Sequence, residues 1–168
     1  MPDGSAAAEA AGKGPPHNIE AEQALLGALL VNNEVYDRVA AVVRPEHFYD
    51  PVHARIFEVA ANRIQKNALA SPVTLKPFFD EDEGLKALGG PAYLARLAGA
   101  SISLFAARDY AQLVYDLAIR RELIVIGQDI AEKATRMELD REPRDQIVEA
   151  EQALYQLGEQ GKVEKGLQ

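Results

Sequence analysis

His47, Asp50 and His53 stand three apart in the pattern H-x-x-D-x-x-H, the one constellation in the chain with metal-site chemistry. Two imidazoles and a carboxylate could hold zinc and leave a fourth position for water, the ligand set of a hydrolytic centre. Each residue also has a use that needs no metal. Asp50 precedes Pro51 and is placed to cap a helix. His53 falls on the apolar side of that helix with Ile56 and Phe57, where an imidazole makes a buried hydrogen bond. Cap and core are the roles expected of them, and a small metal-dependent enzyme rests on this triplet alone.

Other reaction chemistry is missing. The chain has no cysteine, which excludes a disulfide framework, a thiolate zinc site and a cysteine nucleophile. Neither a G-x-x-x-x-G-K-[ST] phosphate loop nor a G-x-S-x-G nucleophile elbow occurs. Gly89-Gly90 runs into Pro91, which has no N–H to offer a phosphate. The run Asp80-Glu81-Asp82-Glu83 has nothing to fix its carboxylates relative to one another and reads as solvated surface. Tyr36, Tyr49, Tyr93 and Tyr110 are scattered and not interleaved with arginine, so core packing is expected of them rather than base stacking. A formal charge of −8 opposes tight DNA binding by this chain alone, and the densest basic pair, Arg120-Arg121, reads as a solvated helix face. No signal peptide and no membrane-length apolar run is present, so a soluble cytoplasmic protein is expected.

The segments that carry these residues share one period. Residues 1–17 are small, polar and broken by Gly and Pro, as in a disordered leader. Asn18 is a helix cap, and Ile19–Val31 sets Glu22, Leu25, Leu26, Leu29 and Leu30 on a core face. Further helices are expected over Glu34–Val43, from Pro51 to about Asn67, from a Thr74 cap to Phe79, around Leu85 and Leu88, and from Pro91 to Gly99. Nothing alternates with period two. The chain is all-α.

The stretch from about Ala106 to Met137 has no proline and a single glycine, Gly127. Some 30 helical residues span about 45 Å, at ~1.5 Å each. A compact body of ~100 residues is only about 35 Å across, so part of this arm protrudes. Its apolar residues form two stripes: Tyr110, Leu113, Val114, Leu117 and Ile124 for the arm's own domain, and Ile119, Leu123, Ile126, Ile130 and Met137 on the opposite side. After a turn closed by Pro143, a second arm repeats Ile147, Ala150, Leu154 and Leu157 at helical spacing. An isolated antiparallel pair leaves apolar surface open. Ile119, Leu123, Ile126, Ile130, Met137, Ile147, Leu154 and Leu157 are therefore the expected subunit interface, with dimerisation through a second copy as its use; the alternative is that the hairpin folds back onto its own domain. The expected architecture is a small globular helical head over 18–104, a protruding antiparallel hairpin over 105–158, and the start of a linker over 159–168.

Beyond this physical reading, Ile19-Glu20-Ala21-Glu22-Gln23-Ala24-Leu25-Leu26-Gly27, preceded by Pro16, resembles the opening of the N-terminal domain of DnaB-type replicative DNA helicases. HFYDPVHARIF at 47–57, VTL at 73–75, GGPAYLARLA at 89–98, YAQLV at 110–114, RRELI at 120–124 and AEQALYQLGE at 150–159 follow in the family's order. The resemblance implies a helical head whose hairpins pair, the pairs closing as a trimer of dimers into a collar on a hexameric ring. It implies partners in primase and a helicase loader, with DNA held by the parent ring and weakly or not at all by this chain. The parent would be an ATP-dependent 5′-to-3′ helicase of the bacterial replisome. ATP and Mg would bind in a RecA-like motor domain beyond the linker, and this fragment would hold no cofactor and have no enzymatic activity. The other reading is a non-replicative helical dimerisation or adaptor module. Two positions depart from the family pattern: Ser71 stands where aspartate is usual, and Ala106 where an asparagine cap is usual, moving the expected start of the arm to Ser101 or Ser103.

Overall fold

The computed structural model of the chain describes residues 14–100, 103–136 and 140–164. Its α-helices run α1 Ile19–Val31, α2 Tyr36–Ala40, α3 Pro51–Gln65, α4 Pro72–Leu75, α5 Glu83–Ala87, α6 Pro91–Gly99, α7 Ala107–Thr135 and α8 Pro143–Glu164. Short 3₁₀ turns fill the joints at Asn33–Val35, Pro45–His47, Lys76–Phe79 and Leu104–Ala106. No strand occurs among the described residues, and none of the helices is long and apolar enough to cross a membrane.

The head is built around α1, which packs on α7, α6 and α3. Ala21, Glu22 and all of residues 25–30 are buried. A helix covered on all sides is a core helix rather than a surface one. The sequence shows one leucine face; Ala21, Gly27 and Ala28 complete the circumference and let neighbours close in. Asn18 caps α1, its side chain accepting the Ala21 N–H at 3.0 Å. At the other end Asn33 donates to the Leu29 carbonyl at 2.9 Å and the Ala70 carbonyl at 2.8 Å, and accepts the Ala70 N–H at 2.9 Å. One amide thus ends α1 and ties it to the segment leading into α4.

The joints are where the expected boundaries shift. Glu34–Val43 is a 3₁₀ turn followed by five residues of α-helix. The short fourth helix is capped by Ser71 and not by Thr74. Ser71 Oγ accepts the Thr74 N–H at 3.2 Å while Thr74 Oγ1 accepts the Ser71 N–H at 2.8 Å, a reciprocal box that puts Pro72 at the first helical position. Serine in place of the family's aspartate keeps the capping chemistry. Asp82 leaves the solvated acidic run: it binds Arg55 Nε at 2.7 Å and Nη2 at 2.8 Å and caps α5 through Leu85 N–H at 2.9 Å. The hydrogen bonds from Arg55 hold its carboxyl below the usual range. Gly84 follows because a Cβ there would meet Val52 Cγ2 at 2.8 Å. Residues 159–164, expected to begin a linker, are helical, α8 continuing to Glu164; the expected linker's residues 165–168 lie outside the described residues.

Ser71→Ala removes a cap and should cost about 1 kcal/mol, whereas Ser71→Asp should stay close to the unaltered chain. Urea unfolding of both variants measures the difference; equal stability of all three would remove the cap from the account.

Candidate subunit interface

The long helix α7 passes through two environments. Its first half lies on α1, burying Ala107, Ala111, Val114, Tyr115 and Ala118. The expected head stripe is corrected here. Val114 belongs to it and Tyr110 packs at its edge, but Leu113 and Ile124 are exposed at 38% and 42%. Alanines at 107, 111 and 118, four and seven residues apart, admit the helix closely, and larger side chains are displaced to its flanks. Ile119, expected at the subunit interface, is half-buried against the head's core instead.

Arg121 marks the point where the arm leaves the head. Its Nη1 donates to the Pro16 carbonyl at 2.7 Å and its Nη2 to the His47 carbonyl at 2.8 Å. The guanidinium carbon lies 5.4 Å from the centroid of Tyr49, on which His17 stacks at 4.0 Å with the planes 9° apart. The end of the expected leader, residues 14–17, is therefore held against the head. Burial lowers the Arg121 pKa, yet a guanidinium stays charged. A solvated face was expected of this arginine, because nothing in the sequence brings residues 16, 47 and 121 together.

The H-x-x-D-x-x-H residues have separate roles. Burial lowers the His47 pKa, with the Arg44 and Arg121 charges acting in the same direction and Glu46 opposing. Its Nδ1 accepts the Arg44 N–H at 2.9 Å, and its ring meets Tyr115 edge-on at 5.1 Å. Asp50 caps α3 by accepting the Val52 N–H at 2.8 Å. His53 is fully buried, with Nδ1 2.8 Å from Glu22 Oε1 and Nε2 2.6 Å from the Tyr93 hydroxyl. The imidazole bridges the Glu22 carboxylate and the Tyr93 hydroxyl, whose oxygen also accepts from Gln23 Nε2 at 3.1 Å. Among the described residues no group of three His, Asp or Glu is arranged to hold a metal ion.

Beyond Arg121 the hairpin turns outward. Leu123, Ile130, Ile147 and Leu154 are exposed, Ile147 by 58%, while Ile126 and Leu157 are half-buried between α7 and α8. Met137 lies outside the described residues. Val125, Val148 and Tyr155, which were not expected at the interface, add to the exposed apolar surface. Val125, Ile126, Ile130, Ala150 and Ala153 help line a groove of about 430 Å³ along the two helices. Lys133 sits at its edge, 3.0 Å from Asp129 and 3.7 Å from Glu149, and its carbonyl accepts from Gln146 at 2.6 Å. The arrangement offers an apolar strip along two packed helices, the kind of surface that suits association.

Residues 14–116 match the family described as DnaB-like helicase N terminal domain. The chain belongs to this family. The Replicative DNA helicase DnaB of Rickettsia conorii is 39% identical over 150 residues, 89% of this chain and 30% of that protein. The Replicative DNA helicase DnaB of Pasteurella multocida is 31% identical over 145 residues, 86% of this chain and 31% of that protein. The chain thus spans about 30% of the length of the curated relatives it matches. The crystal structure of the N-terminal domain of DnaB helicase from Mycobacterium tuberculosis is similar with a TM-score of 0.76 at 25% identity, covering 84% of this chain and 99% of that one. The structural match takes in more of the chain than residues 14–116, so the DnaB-like fold includes hairpin as well as head.

The buried, neutral His47 gives the head a pH dependence. Its pKa is lower in the folded chain than in the unfolded one, so below about pH 6.5 the unfolded state binds the extra proton first. Stability should fall as pH drops through that range and hold above it. Unfolding midpoints of the unaltered chain and His47→Gln between pH 5 and 8 test this, the variant being expected to show the shallower slope; parallel slopes would refute it.

Proposed function

We propose that this chain forms part of the N-terminal collar of a hexameric replicative DNA helicase, pairing subunits through α7 and α8. The observation that carries the reading is the apolar strip beyond Arg121, left open by a hairpin too extended to fold back on its head. Membership of the DnaB-like N-terminal domain family supports it, as does the resemblance of the chain's ordered blocks to such helicases. In this reading the interface is formed by Leu123, Ile126, Ile130, Ile147, Leu154 and Leu157, together with Met137, which lies outside the described residues. Pairs then close as a trimer of dimers, and the collar docks primase and a helicase loader. The parent is an ATP-dependent 5′-to-3′ helicase of the bacterial cytoplasm whose ATP and Mg sites, like its grip on DNA, lie in a motor domain outside this chain. The chain itself contributes assembly and recruitment, not catalysis.

Sedimentation equilibrium of the purified chain tests the pairing. Burying a large aliphatic side chain is worth ~1.5–3 kcal/mol, and a two-fold contact uses it twice. Ile130→Asp should therefore weaken association by about a hundredfold or more, with helicity and head stability retained. A monomer at tens of micromolar for the unaltered chain, or undiminished association of the variant, would overturn the reading.

A further inference from the structure

From Val59 to Phe79 the chain has no carboxylate, although it carries 26 Asp and Glu in all, and the cations of that stretch are Arg63, Lys66 and Lys76. The same stretch exposes Leu69 by 61%, Val73 by 80% and Phe78 by 56%. These side chains stand on a rigid corner, not on a slack loop. The Leu69 carbonyl accepts from Arg63 Nε at 2.6 Å and from Thr74 Oγ1 at 2.8 Å. The Asn33 amide clamps Ala70 on both its N–H and its carbonyl, and the Ser71–Thr74 box fixes the turn that follows. Arg63 joins the two ends of the corner, its guanidinium carbon lying 5.8 Å from the Phe78 ring centroid. Lys66 ends α3 and Lys76 is one turn on from Val73, both exposed.

We propose that this corner of the head is a docking face for an acidic, amphipathic helix of another protein, whose apolar side chains cover Leu69, Val73 and Phe78 and whose carboxylates meet Arg63, Lys66 and Lys76. Charge complementarity selects the occupant: in a chain of net charge −8 this is a segregated cationic stretch, and its centre is apolar. Nucleic acid fits it less well. Leu69 and Val73 have no π face for a base, so of the three exposed side chains Phe78 alone could stack one. A second copy pairing two-fold would set these cations against themselves. The face shares no residue with the α7–α8 strip, so this inference stands or falls separately from subunit pairing.

Fluorescence anisotropy with the full chain and labelled synthetic helices decides it. One probe carries a Leu/Phe stripe with glutamates elsewhere; the other has the same stripe with lysines. The glutamate helix should bind at least about tenfold more tightly. Val73→Asp and Lys76→Glu should each reduce its affinity by about tenfold or more with unchanged thermal unfolding, while Ile130→Asp should leave it unchanged. Equal affinity for both helices, no binding of either, or full binding by Val73→Asp would overturn the proposal. So would tighter binding of single-stranded oligo(dT) at this face, or a loss of self-association in Val73→Asp, which would assign the face to nucleic acid or to a second copy.

Discussion

A carboxylate taken out of water has to be met by donors on the sides it presents, and Glu22, 2% exposed, is met by three. Tyr49 N–H reaches it at 2.7 Å, Asp50 N–H at 3.3 Å and His53 Nδ1 at 2.8 Å. Those donors come from the corner and from α3, and the chain of bonds runs on through His53 to Tyr93 on α6. Most of the head is thereby registered to one charge on its central helix. Hydrophobic burial is non-directional and would tolerate sliding of α1 among its neighbours; a half-satisfied buried anion would not. The apolar core makes the head compact, and the Glu22 network makes its arrangement unique.

The same corner transmits that register to the hairpin. Tyr49, whose N–H serves Glu22, lies between His17 and the Arg121 guanidinium, and Arg121 also holds the carbonyls of Pro16 and His47. Arginine suits this place because its planar fork can donate to two carbonyls and still lie over a ring. On the head side of Arg121 the helix is fixed by alanine packing on α1. Beyond it, among the described residues, α7 runs alongside α8. The transition from clamped to free therefore falls at one residue, and an arm held so firmly at its root can present an apolar strip at a set angle.

Much of this was legible in the sequence, and what was missed has a common cause. Period alone places Glu22 beside the leucines and His53 beside Phe57, and cap chemistry places Asn18, Asp50 and Pro51, because these signals are local. The start of α4 was misread because Thr74 and Ser71 are both good caps, and the choice was made by Asn33, thirty-seven positions from Ala70. Arg121 and Asp82 were read as solvated because their partners lie far away in sequence. A linker was expected from residue 159, beside Gly158, and glycine costs ~1 kcal/mol in a helix interior. The helix nevertheless continues, and Tyr155, Gln156, Glu159 and Gln160 line a cleft of about 650 Å³ with Arg44, Glu46 and His47 of the head. Tertiary packing outweighed local propensity there.

Charge argues for the apolar strip, rather than ion pairs, as the contact in the proposed association. Two copies with −8 each repel, and a contact between them has to hold against that repulsion within the ~8 Å over which charges act at physiological salt. Three basic groups of the hairpin are held in ion pairs of their own. Lys133 pairs with Asp129 and Glu149, Arg136 with Glu132, and Arg141 with Glu149, all within one chain. Exposed pairs of this kind add little to the stability of a single copy. Their consequence is electrostatic: Lys133, Arg136 and Arg141 are engaged within the chain and are less available to a partner's carboxylates. Exposed carboxylates such as Glu142, Asp145 and Glu151 add to the repulsion, so a contact between copies would draw its strength from apolar area.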